Sequence, residues 1–528
     1  MKLKETAGET ATGRAVAAEL YCGRGNSRLD FDRAYQTFKT LKEDQVAAGF
    51  TGLMAYLGEG ATWDPEAGRN ILCEVRPAVL RVVPTDPLAA ALIGWAGTAG
   101  AVTVEDWAPV VSALRRAAKQ DDPLAQRVLA GLYATGTGVR KHPGHARTLL
   151  TKAAAAGDAL AQDRLGLLIS GPEAPAADQK KAAALFRTAA ERGLPLAMTD
   201  YADALAFGAG IPQDDRRAFG WYRRAAKRGV FSAMLQTGRC YLEGYGTAAD
   251  PSKAEKWLVR ACTGRVPEAP AVLGEAYAEH RIASRTAADA LPLLKDAAAR
   301  GNAQASYDLG LIYRDGRDTP QDLKAAAVNF AAAANTGHTA AVYELALLCY
   351  AGAGVTQDLP RALKLLRKAA AADHPGAMFS LGIMYKRGEG VKANLAKAAE
   401  YFTAAAERGS APAQNSLGAL YKAGSGVPKD ESQAFELFKA AAKQGDVLAQ
   451  SNLGIMYLLG CGTAASPEKA FKWTRRAARQ GNAEAEYNLG LMYYRGKGTV
   501  KDLKKAADWI SKAEKQGYRP TEEQKRAQ

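Results

Sequence analysis

Five histidines are the first place to look for metal or general-base chemistry: His142, His145, His280, His338 and His374. A zinc site takes three or four N, S or O ligands held close together. His142 and His145 share the stretch KHPGH, where proline and glycine predict a loop, and no third ligand lies near in sequence. His338 and His374 stand 36 residues apart, and their plain reading is a pair of surface histidines at helix starts. The six cysteines, Cys22, Cys73, Cys240, Cys262, Cys349 and Cys461, form no C-x-x-C pair and share no spacing. That pattern argues against a disulfide framework or a thiolate zinc site. It predicts that most of them are small buried side chains, compatible with a reducing compartment, and no cofactor is expected.

Phosphate and acyl chemistry leave signatures of their own. The chain holds no G-x-x-x-x-G-K-[ST] loop and no G-x-S-x-G elbow. Its G-x-G pairs lack the third glycine of a dinucleotide-binding turn. Carboxylates are plentiful and can hide a catalytic pair, yet most of them fall into a register that belongs to something else.

That register is an internal repeat, the first thing to settle in a chain of this length. Stepping by 36 from Ala125 meets Ala161, Ala197, Ala233, Ala269, Ala305, Ala341, Ala377, Ala413, Ala449 and Ala485, with no insertion. Two more alanine columns run 21 and 28 residues after each of these, as in Ala398 and Ala405. In the unit beginning at Ala377, residues Ala377, Leu381, Gly382 and Tyr385 share one face of a helix. This is helix A. Gly388 and Gly390 stop it. Helix B starts near offset 17, where Asp178, Asp214, Asp250, Asp322, Asp358, Asp430 and Asp502, with Asn394 and Ser466, are the predicted N-caps. Bulky residues follow at offsets 24 and 25, as in Trp221-Tyr222 and Tyr401-Phe402. Offset 5 is glycine in most units, including Gly382 and Gly418. A mid-helix glycine costs about 0.5–1 kcal/mol against alanine, so its recurrence predicts a close approach of helices A and B.

The motif A-x-x-x-L-G-x-x-Y-x-x-G-x-G-V, followed by D-x-x-K-A and A-A-x-x-G, resembles the Sel1-like repeat family, a relative of the tetratricopeptide repeats. The resemblance runs from Leu88 to about Gln516. It implies an all-α solenoid of helix hairpins in a right-handed superhelix and an adaptor function, whether in signalling, envelope or secretion-related assembly, or host interaction. The expected organisation is a degenerate helical cap over residues 1–85, an array of about twelve units over 86–520 and a tail over 521–528. Two units depart from the pattern, around Gly171 and around His280, where the G-x-G turn is lost and the length is kept.

Two stripes are candidate binding surfaces. On helix A, offset 2 carries Tyr307, Tyr343, Phe379 and Tyr487, and offset 9 carries Arg314, Tyr350, Lys386, Lys422 and Tyr494. In helix-pair solenoids helix A tends to line the concave side. An aromatic and basic groove there suits a peptide with apolar anchors and acidic charge. The alternative for offset 2 is packing between repeats. On helix B, offsets 26 and 27 form a basic ladder: Lys152, Arg187, Arg223, Arg224, Arg260, Lys295, Arg367, Lys368, Lys439, Arg475, Arg476 and Lys512. A polyanion can run along such a ladder, but cations in a last helical turn also complement the helix dipole, and no aromatics are expected between them to stack on bases.

The net charge of +15 permits acidic proteins, nucleic acid or an anionic membrane as partners. The N-terminal MKLKETAGET has no apolar core of a signal peptide, and no apolar run reaches transmembrane length. The expected compartment is the cytoplasm, or outside it if a leader has been removed. The expected function is a protein-binding scaffold without enzymatic activity. The rival readings are a nucleic-acid-binding solenoid and an enzyme site in the first 85 residues, which hold Cys22, Trp63 and Cys73.

Overall fold

The 36-residue unit becomes two helices because both ends of each are marked in the sequence. In the unit at Ala377, helix A is Pro375–Arg387 and helix B is Leu395–Glu407. Proline occupies the first turn of helix A, where its missing N–H is not needed. Gly388 closes the helix at φ 75°, a left-handed conformation that β-carbon-bearing residues resist. Asn394 caps helix B by accepting a 2.9 Å bond from the Lys397 N–H. Its own N–H donates to the Tyr385 carbonyl at 2.8 Å, which fixes the hairpin.

The computed structural model describes residues 13–21, 30–41, 43–57, 64–171 and 173–519. Among these, every regular element is an α-helix, and the helices pair as hairpins. The fold is an α-solenoid of repeated hairpins. It divides into two compact units, Met1–Leu273 and Gly274–Gln528. Calls on Cys22 and Trp63 lie outside the described residues.

The three alanine columns form the core line of both units. None of their members is more than 2% exposed. Alanine there lets helices approach closely, and the space between is filled by offset-25 side chains such as Phe330, Phe402 and Phe438, all fully buried. Each of these rings lies against the offset-5 glycine of its own hairpin. A β-carbon on Gly382 would stand 2.4 Å from Phe402 Cε1, and one on Gly310 would stand 2.4 Å from Phe330 Cε1.

The second glycine of each G-x-G pair does more than end a helix. A β-carbon on Gly462 would lie 2.1 Å from the Glu431 carbonyl oxygen, at the start of the preceding repeat's helix B. Offset 31 adds polar clamps. In the first unit Arg228 donates to the Gly193 carbonyl at 2.6 Å, and in the second Gln480 donates to Gln450 Oε1 at 2.8 Å.

Two sequence expectations are corrected. Asp178 is not an N-cap: helix B of that repeat, whose connection lacks the G-x-G pair, starts early as Ala176–Glu191, so Asp178 sits inside its first turn. KHPGH is not a loop. His142 is the N-cap of Pro143–Ala155, its Nδ1 accepting the His145 N–H at 3.1 Å, with proline again in the first turn. Upstream, helices Phe31–Thr40, Gln45–Leu57 and Pro65–Val82 precede the pair Pro87–Thr98 and Ala108–Lys119. Phe38 stacks on Phe50 at 4.9 Å between the first two.

Candidate interaction surface

The offset-2 rings of the second unit pack against further rings, Tyr307 and Tyr343 on the caps of the next A helix and Phe379 within its own hairpin. Tyr307 stacks on His338 at 4.7 Å, Tyr343 lies on His374 at 4.4 Å, Phe379 packs on Phe402 at 5.7 Å, and Tyr487 meets Tyr518 at 5.4 Å. Tyr487 is 3% exposed, while the other three are half-buried. These rings give the face its floor.

His338 and His374 cap the A helices of their repeats. The Nδ1 of each accepts the backbone N–H three residues on, Ala341 and Ala377, both at 3.2 Å. That bond requires a neutral ring with its proton on Nε2, and His338 Nε2–H then donates to Gln304 Oε1 at 3.0 Å. Burial lowers the pKa of both histidines below the ordinary value. For His374 the Glu344 carboxylate opposes that shift. A depressed folded-state value means the two caps contribute fully above the unfolded pKa of about 6.5 and are lost as pH falls through the lower folded value. Replacing both with asparagine, which caps without titrating, is expected to flatten this step. Melting temperatures of parent and His338→Asn/His374→Asn proteins should diverge below about pH 6.5, with the parent falling faster. Parallel curves would contradict the capping role.

Offset 9 shows three environments. Lys386 and Tyr494 are exposed and Lys422 is half-exposed. Tyr350 donates its hydroxyl to Glu389 of the next repeat. Arg314 is held between Asp315 and Glu344, each at 2.7 Å. The sequence reading missed that offset 9 reaches offset 3 of the following repeat, so it did not see that Arg314 has carboxylate neighbours. It also missed offsets 3 and 6 as part of this face. At offset 6 stand Leu311, Leu347, Ile383, Ala419, Ile455 and Leu491, all half-buried. At offset 3, Asn452 donates to Asn415 of the preceding repeat at 3.0 Å.

The family model of the Sel1 repeat matches residues 123–158, 159–194, 195–230, 231–264, 303–338, 339–374, 375–410, 411–446, 447–482 and 483–518. The chain belongs to the Sel1 repeat family. It is similar to c5321, a protective antigen of uropathogenic Escherichia coli with the same SLR fold. The two share 29% identity over 76% of this chain and 86% of that one, with a TM-score of 0.62. A Sel1 repeat protein from Oxalobacter formigenes is 28% identical over 65% of this chain and 90% of its own, with a TM-score of 0.39. No match is found among curated proteins.

The Sel1 array is interrupted where the family model is silent, between residues 264 and 303. There the A helix shortens to Ala269–Ala278 and His280 takes a left-handed φ of 54° in place of the missing glycine. Its B helix begins instead with a capping box formed by Thr286 and Asp289.

The helix B ladder of these Sel1 repeats is exposed, apart from the half-buried Lys439. Contrary to the sequence expectation, aromatics are interleaved with it. Arg224 lies over Trp221 at 4.1 Å, Arg476 over Trp473 at 4.7 Å, and Lys512 over Trp509 at 4.1 Å. Each cation thus covers a ring face that a stacked base would need.

In the first unit, carboxylates do meet. Asp163 and Asp200 hydrogen-bond to each other, and burial raises the pKa of both. The Tyr222 hydroxyl donates to neighbouring Asp203. Asp163 is only 4% exposed, so the pair lies largely closed off between repeats. Among the described residues no cluster of three His, Cys, Asp or Glu side chains suits a metal ion, and no helix is long and apolar enough to cross a membrane.

Proposed function

We propose that this Sel1 repeat protein is a non-catalytic scaffold that binds a protein or peptide along its A-helix face. One observation carries the reading: the framework columns are uniform while offset 9 is not. Arg314, Tyr350, Lys386, Lys422, Leu458 and Tyr494 occupy equivalent positions, and in four of these six repeats a ring stands at offset 2, Tyr307, Tyr343, Phe379 and Tyr487. Side chains that vary on a constant support are what recognition needs and what packing does not. Lys386 and Lys422 give that part of the face a positive sign, which suits acidic groups on the partner.

The test uses the partner recovered from the source cell on the full chain. Lys386→Glu with Lys422→Glu should weaken binding about tenfold or more. Stability should change little, since substitutions of solvent-facing side chains typically cost less than about 0.5 kcal/mol each. Arg314 is left intact because Glu344 and Asp315 hold it. The comparison variant is Arg223→Glu with Arg475→Glu on the helix B ladder. Loss of binding in that variant alone would replace this reading with polyanion binding along helix B.

A further inference from the structure

The A-helix face of the second unit changes sign along its length. At its start, Glu275 and Glu279 from one repeat face Asp308 from the next. Glu279 is well exposed, its side chain at 52%, while Asp308 is only 8% exposed. One Asp308 oxygen accepts from Gln304 Nε2 at 2.8 Å. The other, Oδ2, is buried with no hydrogen-bond partner. Arg281 lies 3.0 Å from Glu279 and 3.7 Å from Glu275. Asp315 and Glu344 continue the acidic stretch and hold Arg314. Beyond them Leu311, Leu347 and Ile383 line one row, and the face then turns basic at the exposed Lys386, while Arg387 beside it lies 3.7 Å from Glu389.

A buried carboxylate oxygen without a donor is a costly feature unless something fills the need. Burial, with Glu275 and Glu279 beside it, pushes the Asp308 carboxyl up to about 7 against the opposing Gln304 hydrogen bond and Arg281 charge, so a proton competes for this oxygen near neutral pH. A cation docking at the exposed Glu279 favours the charged form of Asp308 through its field, without entering the closed space around Oδ2. No group of side chains here suits a metal ion among the described residues, so the fitting cation is an ammonium or guanidinium on a flexible stem.

We propose that this face docks an extended peptide segment with a lysine or arginine seated at Glu279 beside Glu275 and Asp308, apolar side chains over Leu311, Leu347 and Ile383, and a carboxylate against Lys386. The proposal rests on the A-face reading above and specifies its partner. Two repeat steps separate Asp308 from Lys386. With neighbouring helices about 8–10 Å apart and an extended chain rising about 3.3 Å per residue, the cation and the carboxylate stand about six residues apart. The sign reversal also sets the direction in which the segment lies.

The test is a selection of short random peptides displayed against the full chain, followed by anisotropy titration of an enriched peptide. The enriched sequences should carry a cation and a carboxylate about six residues apart, in one constant order, with apolar residues between. Affinity should rise as pH passes upward through about 7, where Asp308 loses its proton. Glu279→Gln, Asp308→Asn and Lys386→Glu should each weaken binding about tenfold. Glu279→Gln keeps the test decisive if Asp308→Asn alters folding, because that side chain is exposed. Peptides that lose affinity with Lys386→Glu but carry no cation, or ignore both carboxylate variants, would overturn this inference and leave the A-face reading standing. Peptides indifferent to all three variants, or no enrichment at all, would overturn both.

Discussion

Gly462→Val is expected to destabilise the second unit by about 2–5 kcal/mol. Gly462 has φ 64°, a left-handed conformation that costs a β-carbon-bearing residue about 1–2 kcal/mol. Its β-carbon would also lie 2.1 Å from the Glu431 carbonyl oxygen and 2.9 Å from the Ser432 nitrogen. Backbone cannot rotate away as a side chain can, so overpacking adds about 1–3 kcal/mol. The fit control is Gly481→Ala. Gly481 has φ 82° but open space around its β-position, so it should lose only the conformational part, about 1 kcal/mol. Denaturant melts give the totals. Hydrogen exchange in Glu431–Lys443 and Pro467–Arg479 gives the local effect, because repeat arrays are stabilised by nearest-neighbour contacts. Equal losses in the two variants would show that the close approach between repeats carries no energy.

Gly382→Val is expected to cost about 1–3 kcal/mol for a different reason. Its backbone is ordinary helix, and the obstacle is one ring: Phe402 Cε1 at 2.4 Å and Cδ1 at 2.5 Å from the added carbon. Phe402→Ala alone removes a fully buried ring and should cost about 3–5 kcal/mol. The double variant should cost clearly less than the sum, because the valine enters the space that the ring leaves. Coupling of about 0.5–3 kcal/mol is the usual range for residues in contact. Strict additivity would contradict the packing. Gly418→Val should be milder than Gly382→Val, since Phe438 stands at 3.0 Å there.

Both glycine positions were visible as columns, and that is where the sequence was most legible. A position that must hold alanine or glycine leaves a uniform trace, so hairpin boundaries and the helix A–helix B contact could be read directly. The N-caps of helix B were legible for the same reason, Asp178 excepted, because the altered connection before it cannot be read from the column. The N-caps of helix A were not. Asp122, Asp158, Asn302, His338, His374, Asp446 and Asn482 do one job with three chemistries, and Leu194 and Val230 stand in the same column without a side-chain cap bond. A mixed column looks like free variation.

The candidate surface was half legible. Offset 9 was placed correctly on helix A, but its neighbours come from the next repeat, so Arg314 read as an available cation when it stands between two carboxylates. Offset 6 was overlooked because Leu311, Leu347, Ile383 and Leu491 look like core residues in sequence, and only stacking shows that they are half-exposed. Asp308 gave no signal at all. Its environment is made by Glu275, Glu279 and Arg281, which lie about one repeat away in sequence.

Lysine footprinting of the complex tests the central claim most directly. The full chain, free and bound to the partner recovered from its source cell, is treated with an amine-modifying reagent, and each lysine is quantified. The A-face account predicts that Lys386 and Lys422 lose reactivity on binding while Lys152, Lys295 and Lys512 on helix B keep theirs. Protection of the helix B lysines with unchanged Lys386 and Lys422 would contradict it.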